Sequence, residues 1–362
     1  MAARHSTWTQ SYIKRALLPD TSPLAAYLLR LIAIKRTNLC LSADVTTTAR
    51  LLALAEEVGD SICLLKTHAD IVSDFSDRTV KGLRDIAKRK RFLVFEDRKF
   101  GEIGEIIQKQ YTGGPLAIAR WAEITSAHIF PGPAVLTSLK EAAATAISIF
   151  NQSVQTKISA EPSDHTFPAN DHSRAAGQVY LDTEEHGNPT ENRKQNAVFI
   201  TTAITQSISP QSTPVIEDEG HHDDAHEILE KLGSTPFLRG LLLLAEMGNL
   251  LAGSYTQQCV EIARQHKEFV MGFIAQRSLN SEPGDNFLTM TPGVKILPKA
   301  QEGQVDDGKG QQYNNPRQII LEHGSDIVIV GRGIVEADDR AKEAERYRKE
   351  AWAAYEERIA KI

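Results

Sequence analysis

Cysteine is scarce in this chain, and the three that occur, Cys40, Cys63 and Cys259, share no metal-like spacing. An odd, scattered set predicts neither a disulfide framework nor a structural zinc site. Cys40 and Cys63 sit inside apolar runs, where a thiol serves as a small buried hydrophobe. Long hydrophobic runs are also missing. The longest, Leu241–Ala245 with its flanks, falls far short of the ~20 apolar residues that a membrane helix needs. Met1–Asp20 is polar and mixed, unlike a secretory leader. A cytoplasmic protein with no membrane partner is therefore expected. Basic charge is not in excess either: 41 Lys and Arg against 47 Asp and Glu leave a net charge of −6. Phosphate backbones reward basic surfaces, so nucleic acid is not an expected partner, although a local basic cluster can still hold one small phosphate.

What remains is ample for a large core: 362 residues, 41% of them hydrophobic and 24% charged. From about Asn38 short apolar runs alternate with amphipathic segments. Leu39–Ala43 reads as a strand, Thr48–Val58 as a helix, Ser61–Leu65 as a strand and Val80–Lys90 as a helix. Arg91–Phe95 is a third strand followed by a helix from about Gly104, and Glu123–Ala127 a fourth strand. Gly240–Ala245, Phe269–Ala275, Phe287–Thr291 and Asp326–Val330 continue the series to eight. Alternation of this kind implies a parallel sheet with right-handed crossovers, and eight strands imply an α/β fold closed into a (β/α)8 TIM barrel. Between strands four and five the texture changes to low complexity rich in Ser, Asn, Pro, Thr and His, without the periodicity of a packed core. The expected organisation is an N-terminal helical segment at 1–34, the first half of the barrel at 35–150, a flexible insertion at 151–236 and the second half at 237–362. Within the insertion only Ala197–Ile208 has the pattern of an ordered piece. No internal repeat is visible.

Barrels of this kind place their chemistry where strands end at the C-terminal face. Asp44 follows strand one, and Lys66, Thr67 and His68 follow strand two. Strand three runs into Glu96, Asp97, Arg98, Lys99, Phe100, Gly101 and Glu102, a charge density unusual for solvated surface. Asp97 and Lys99 are two apart, so in extended backbone they share a side. Nearby carboxylates keep such a lysine protonated, as an ammonium fit to donate a proton or to stabilise a developing anion. A structural ion pair at the rim is the alternative. Thr291-Pro292-Gly293-Val294, Gly310-Gln311-Gln312-Tyr313 and Gly331-Arg332-Gly333 follow strands seven and eight, the usual phosphate position in such barrels. Small residues there expose backbone N–H groups, and Arg332 supplies a fork for phosphate oxygens.

SADVTTT (Ser42–Thr48), LLKTHADI (Leu64–Ile71), FEDRKF (Phe95–Phe100), TPGV, GQQY and IVGRG, in that order, closely resemble motifs of the orotidine 5'-phosphate decarboxylase family. The similarity runs from about Lys35 to Ile149 and from about Gly240 to the end, including ERYRKEAWAAYEER. The resemblance implies a carboxy-lyase that converts orotidine 5'-phosphate to uridine 5'-phosphate in pyrimidine biosynthesis. It implies no metal or organic cofactor, and a homodimer whose active sites lie at the subunit interface. By the same resemblance Lys99 protonates the pyrimidine carbon left when carbon dioxide departs, and Asp97 holds that lysine and crowds the substrate carboxylate. Lys66 and Asp44 contact the ribose and extend the charged array. Thr67, His68 and Pro292 fall among the substrate contacts. Gln311, Tyr313, Gly331 and Arg332 match the phosphate site. Three positions depart from the family pattern. Glu102 stands where an aspartate is normally given across the dimer, and Ile106 stands where a threonine contacts substrate. After strand five Ala245-Glu246-Met247-Gly248-Asn249-Leu250-Leu251 is shorter than the family loop and lacks its pyrimidine-reading hydroxyl, a place Asn249 can fill. At this level three readings stay open: the decarboxylase itself, a paralogue acting on another phosphorylated acid, and a non-catalytic nucleotide-binding module.

Gly220-His221-His222-Asp223-Asp224-Ala225-His226 looks like a metal cluster but lies in the insertion, where such tracts are usually solvated linker. Lys88-Arg89-Lys90-Arg91 ends a helix, where cations suit the dipole. Trp121 and Trp352 are expected to pack within amphipathic helices.

Overall fold

A computed structural model of the chain describes residues 4–160, 232–247, 251–296 and 314–360. After a short 3-10 turn at Ser6–Trp8 come α1 (Tyr12–Ala16) and α2 (Pro23–Lys35). The barrel then runs β1 (Leu39–Ser42), α3 (Thr48–Val58), β2 (Leu64–Thr67), α4 (Asp77–Lys90), β3 (Leu93–Phe100), α5 (Gly104–Thr112), β4 (Ile124–Ala127) and α6 (Ala134–Ala160). Its second half is β5 (Gly240–Leu244), α7 (Ser254–Gln265), β6 (Val270–Ile274), β7 (Leu288–Thr291), β8 (Ile327–Val330), α8 (Arg332–Val335) and α9 (Arg340–Ala360). All eight strands are parallel and close in sequence order, with β8 returning to β1 through Leu39↔Val328. The near-continuous Leu, Ile and Val of the strands suits a sheet buried on both faces.

Local chemistry explains the element ends. Pro23 opens α2 behind Ser22, whose hydroxyl accepts from the Ala25 N–H, and Arg36 closes it in the left-handed region at φ 50°. Ser76 and Thr79 form a reciprocal capping box at the start of α4. The basic run Lys88-Arg89-Lys90 lies in the last turn of α4, against its negative end.

Several expectations shift. β2 begins and ends later than the apolar run, so Lys66 and Thr67 belong to the strand itself. β3 continues five residues beyond Phe95 to Phe100, so Asp97 and Lys99 also lie within a strand. α6 persists to Ala160, past the expected start of the insertion. Ala197–Ile208 and the His221/His222/His226 tract lie outside the described residues. Trp121 is not in an amphipathic helix: it caps a 3-10 turn before β4, and its indole N–H donates to the Leu116 carbonyl at 2.8 Å. Trp352 does lie in α9. All three cysteines are free and buried.

The N-terminal helices form the floor of the barrel. Arg15, fully buried, donates to Asn286 Oδ1 at 2.8 Å and pairs with the Asp326 carboxylate, at the entrances to β7 and β8. Tyr12 stacks on Tyr355 of α9 at 4.1 Å, and its hydroxyl donates to the Asp326 carbonyl at 2.8 Å. Arg358, also buried, lies 3.5 Å from Asp326. A buried pair contributes little over an apolar one, but breaking it strands a charge. Arg15→Ala should therefore cost about 3 kcal/mol or more in urea unfolding; an unchanged unfolding midpoint would show that the N-terminal segment is not part of the barrel's cooperative unit.

Candidate active site

Strands β1 to β3 deliver a row of charges to the C-terminal mouth. Lys66, at the end of β2, has its Nζ 3.4 Å from Asp97 Oδ2, 3.7 Å from Asp44 Oδ1 and 2.7 Å from His68 Nε2. Lys99 Nζ lies 2.5 Å from the same Asp97 Oδ2. Asp44 accepts from the Ser42 hydroxyl at 2.8 Å. Anionic and cationic side chains thus alternate, Asp44, Lys66, Asp97, Lys99, and Asp97 carries a cation on either side.

The electrostatics follow from that order. Burial alone would raise the Asp97 carboxyl, but the ammonium groups of Lys66 and Lys99 and the bonds from Lys99 and Ser126 outweigh it and hold its pKa at about 2. Asp97 is a permanent anion. Burial and the adjacent Lys66 push His68 the other way, below its ordinary value. A neutral His68 accepts the Lys66 proton donor at Nε2, which places its own ring proton on Nδ1.

Asp97 and Lys99 do meet, but not through extended backbone. From Glu96↔Thr125 to Phe100↔Ala127, β3 advances four positions while β4 advances two. Asp97, Arg98 and Lys99 are therefore bulged opposite Ser126, and Lys99 adopts φ 53°. That left-handed conformation costs a non-glycine residue about 1–2 kcal/mol, and such strain concentrates where a side chain must be aimed.

Around this row the expected residues distribute unevenly. Thr67 is buried, and its hydroxyl donates to Glu96 Oε2 at 2.7 Å instead of facing the mouth. Glu102 is exposed and has no hydrogen-bond or ion-pair partner among the described residues, so it does not join its own chain's charge row. Ile106, at 55% exposure, is likewise outside it. Gly331 approaches the row closely: a Cβ there would sit 3.4 Å from Asp44 Oδ2 and from Ser42 Cβ. The adjacent Arg332 is exposed. Pro292 follows β7, where Gly293 (φ 75°) turns the chain and the bonds Asn314 N–H to Gly293 O (3.0 Å) and Lys295 N–H to Asn314 O (2.9 Å) pair this turn with Asn314. Gln311, Tyr313 and Asn249 lie outside the described residues. No group of three or more His, Cys, Asp or Glu side chains is arranged to hold a metal among the described residues.

Two residues that support the site were not singled out from sequence, one in contact with the row and one behind it. Ser126, buried on β4, donates to Asp97 Oδ1 at 2.6 Å and accepts from the Lys99 N–H at 3.0 Å. A serine within an apolar run carries no signal of that kind. Glu96 is fully buried and accepts from Thr67 Oγ1 and from the Ala69 N–H at 3.0 Å, tying β3 to the turn that carries His68. Its place inside FEDRKF was visible, but strand alternation puts it on the face opposite Asp97.

Burial, partly offset by the bonds from Thr67 and Ala69, raises the Glu96 carboxyl to about 7. The folded state therefore binds its proton more tightly than the unfolded chain. The contribution to stability is complete below about pH 4.5 and is lost as pH rises through about 7. Glu96→Gln keeps an acceptor for Ala69 and a donor for Thr67 but cannot ionise. Relative to the parent, this variant should gain about 3 kcal/mol of unfolding free energy between pH 4.5 and 8 in urea titrations. Parallel pH profiles for the two proteins would refute this.

Comparison with known proteins fits this geometry. The model of the orotidine 5'-phosphate decarboxylase / HUMPS family matches residues 37–347. Orotidine 5'-phosphate decarboxylase of Aureobasidium pullulans is 48% identical over 98% of this chain and 96% of its own. The protein of that name from Hypocrea jecorina is 40% identical over 99% of both. Among solved structures, UMP synthase of Leishmania donovani superposes with a TM-score of 0.50 at 12% identity, over 92% of this chain and 57% of that one, which speaks for the fold alone. The chain belongs to the orotidine 5'-phosphate decarboxylase / HUMPS family.

Proposed function

We propose that this protein is a carboxy-lyase that converts orotidine 5'-phosphate to uridine 5'-phosphate, a step of pyrimidine biosynthesis. The observation that carries the proposal is the row Asp44–Lys66–Asp97–Lys99 at the barrel mouth. Relatives that share up to 48% of the sequence over nearly the whole chain are named for that activity. No observation favours another phosphorylated acid.

In this reading the substrate carboxylate is brought beside Asp97, an anion that its two lysines keep ionised. Repulsion between the two carboxylates is relieved when the bond from the pyrimidine carbon to the carboxyl carbon breaks and carbon dioxide leaves. The electron pair stays on the ring carbon. Lys99 stabilises it as an ammonium and then transfers a proton to it, and water restores the lysine proton. Lys66, Asp44 and His68 hold the ribose, with Pro292 bordering the site, and Gln311, Tyr313, Gly331 and Arg332 bind the phosphate. No metal or organic cofactor takes part. Lys99→Ala should lower kcat for orotidine 5'-phosphate by about a thousandfold or more, and full speed in that variant would sink the proposal.

The active form is a homodimer with shared sites, acting in the cytoplasm. Support for the dimer comes from the rim beside the charge row. Ile103, Ile106, Phe130 and Met247 are all exposed there, with Phe130 at 67%, and Glu102 is exposed on the same rim with no partner among the described residues. Exposed apolar and acidic groups side by side suit a second copy that receives Glu102. Among the described residues no helix is long and apolar enough to cross a membrane. Glu102→Ala and Lys99→Ala should each be inactive alone. After mixing and reassociation, activity should return to roughly a quarter of the sites, because half the dimers are mixed and each mixed dimer has one intact site. No recovery would exclude sites shared in this way.

A further inference from the structure

We infer that Ser126 is a positioning residue for this reaction, the side chain that grips Lys99 within the bulge of β3 and so aims it at the substrate. The inference rests on the decarboxylase reading above and extends it to a residue outside the charged row.

The bulge creates a specific deficit. Three residues, Asp97, Arg98 and Lys99, stand opposite one residue of β4, so the parallel ladder is interrupted between Glu96 and Phe100. The ladder resumes beyond it, where the His128 N–H donates to the Phe100 carbonyl at 2.8 Å. Within the gap, the Lys99 N–H is bonded to a side chain, Ser126 Oγ, at 3.0 Å. A hydroxyl from the facing strand thus takes the place of the carbonyl that a regular strand would offer. The backbone it grips is the one residue of the bulge in the left-handed region, at φ 53°. Loss of this hydroxyl removes the bond that β4 makes to the Lys99 N–H and frees Lys99 to relax toward an extended conformation that would swing its side chain away.

The same hydroxyl also sets the carboxylate. It has one proton to give, and gives it to Asp97 Oδ1 at 2.6 Å. Asp97 Oδ2 is then left to take Lys99 at 2.5 Å and Lys66 at 3.4 Å. The division of labour fixes rotation about the carboxylate: the neutral donor holds one oxygen, and both ammonium groups share the other. A freely rotating carboxylate could place either oxygen toward either lysine. Ser126 is itself fully buried and its backbone is paired with Leu242 of β5, so its hydroxyl is delivered from a fixed position. Its neighbour Thr125 donates to the Glu96 carbonyl at 3.0 Å, pinning the start of the bulge from the same strand.

A group that acts through Lys99 and Asp97, without touching substrate, should affect turnover more than binding. The test compares the parent with Ser126→Ala and Ser126→Thr, measuring kcat and KM for orotidine 5'-phosphate, uridine 5'-phosphate affinity and thermal midpoint. Misplacement of a reacting group by about 1 Å costs on the order of a hundredfold in rate. Ser126→Ala should lose about that much in kcat, with KM and uridine 5'-phosphate affinity within about threefold, and the hydroxyl of Ser126→Thr should recover most of the loss. Full kcat in Ser126→Ala would overturn the inference. So would equal losses of kcat in both variants that track a fall in thermal midpoint, since that marks Ser126 as structural only. If the parent itself fails to turn over orotidine 5'-phosphate, the functional reading fails, and the inference with it. Parental activity together with an indifferent Ser126→Ala refutes the positioning role alone.

Discussion

A buried carboxylate held between two ammonium groups is the constraint around which the mouth of this barrel is arranged. Asp97 lies almost out of solvent, where an isolated anion is strongly disfavoured. It stays ionised because Lys66 and Lys99 both reach one of its oxygens and Ser126 holds the other. Two cations so close to one another are tolerable only because the anion lies between them, and Asp44 on the far side of Lys66 continues the alternation. The array therefore depends on its centre: removing Asp97 leaves Lys66 and Lys99 without the anion that separates them. For a reaction in which one anionic group departs and a carbon briefly carries its electron pair, a rigid array of this kind supplies repulsion in the ground state and an ammonium afterwards, with little reorganisation between.

The rest of the architecture supports that array. Its members come from the ends of three adjacent parallel strands, Asp44 after β1, Lys66 on β2 and both Asp97 and Lys99 on β3, so closure of the barrel fixes the spacing between those strands. Glu96 extends the rigidity outward from β3 to the turn after β2, binding Thr67 and the Ala69 N–H from within the wall. On the β8 side of β1, Gly331 lies against Ser42 and Asp44, where a Cβ would already be in van der Waals contact with the carboxylate. At the other end Arg15, Asp326 and Arg358 seal the floor, far from the chemistry, so that the N-terminal helices and α9 stabilise the same barrel.

Much of this was legible in the residues. The eight strands and the order of their charged ends follow from apolar runs alternating with helical periodicity, and α3 begins and ends where its pattern does. The strand ends were less legible. Apolar runs mark where a strand is buried, not where its hydrogen bonding stops, so β2 extends through Lys66 and Thr67 and β3 through its most charged stretch. Alternation also gave a simple reason for Asp97 and Lys99 to share a side. The structure supplies a different one, a bulge with a strained lysine, because register against β4 is a property of two strands and cannot be read from one. For the same reason Ser126 was invisible: its importance lies in what stands opposite it. Thr67 shows the converse, a polar residue among the motif positions that turns inward to Glu96.

The most direct measurement is the titration of the Asp97 carboxyl by NMR in the free protein and in Lys99→Ala. An ordinary aspartate titrates near about 3.9. With both lysines in place, Asp97 should show no transition between about pH 7 and 3, as expected for a pKa of about 2, and removal of Lys99 should bring the transition up into the accessible range. A midpoint near 4 in the parent, unmoved by loss of Lys99, would contradict the interaction on which the proposed chemistry depends.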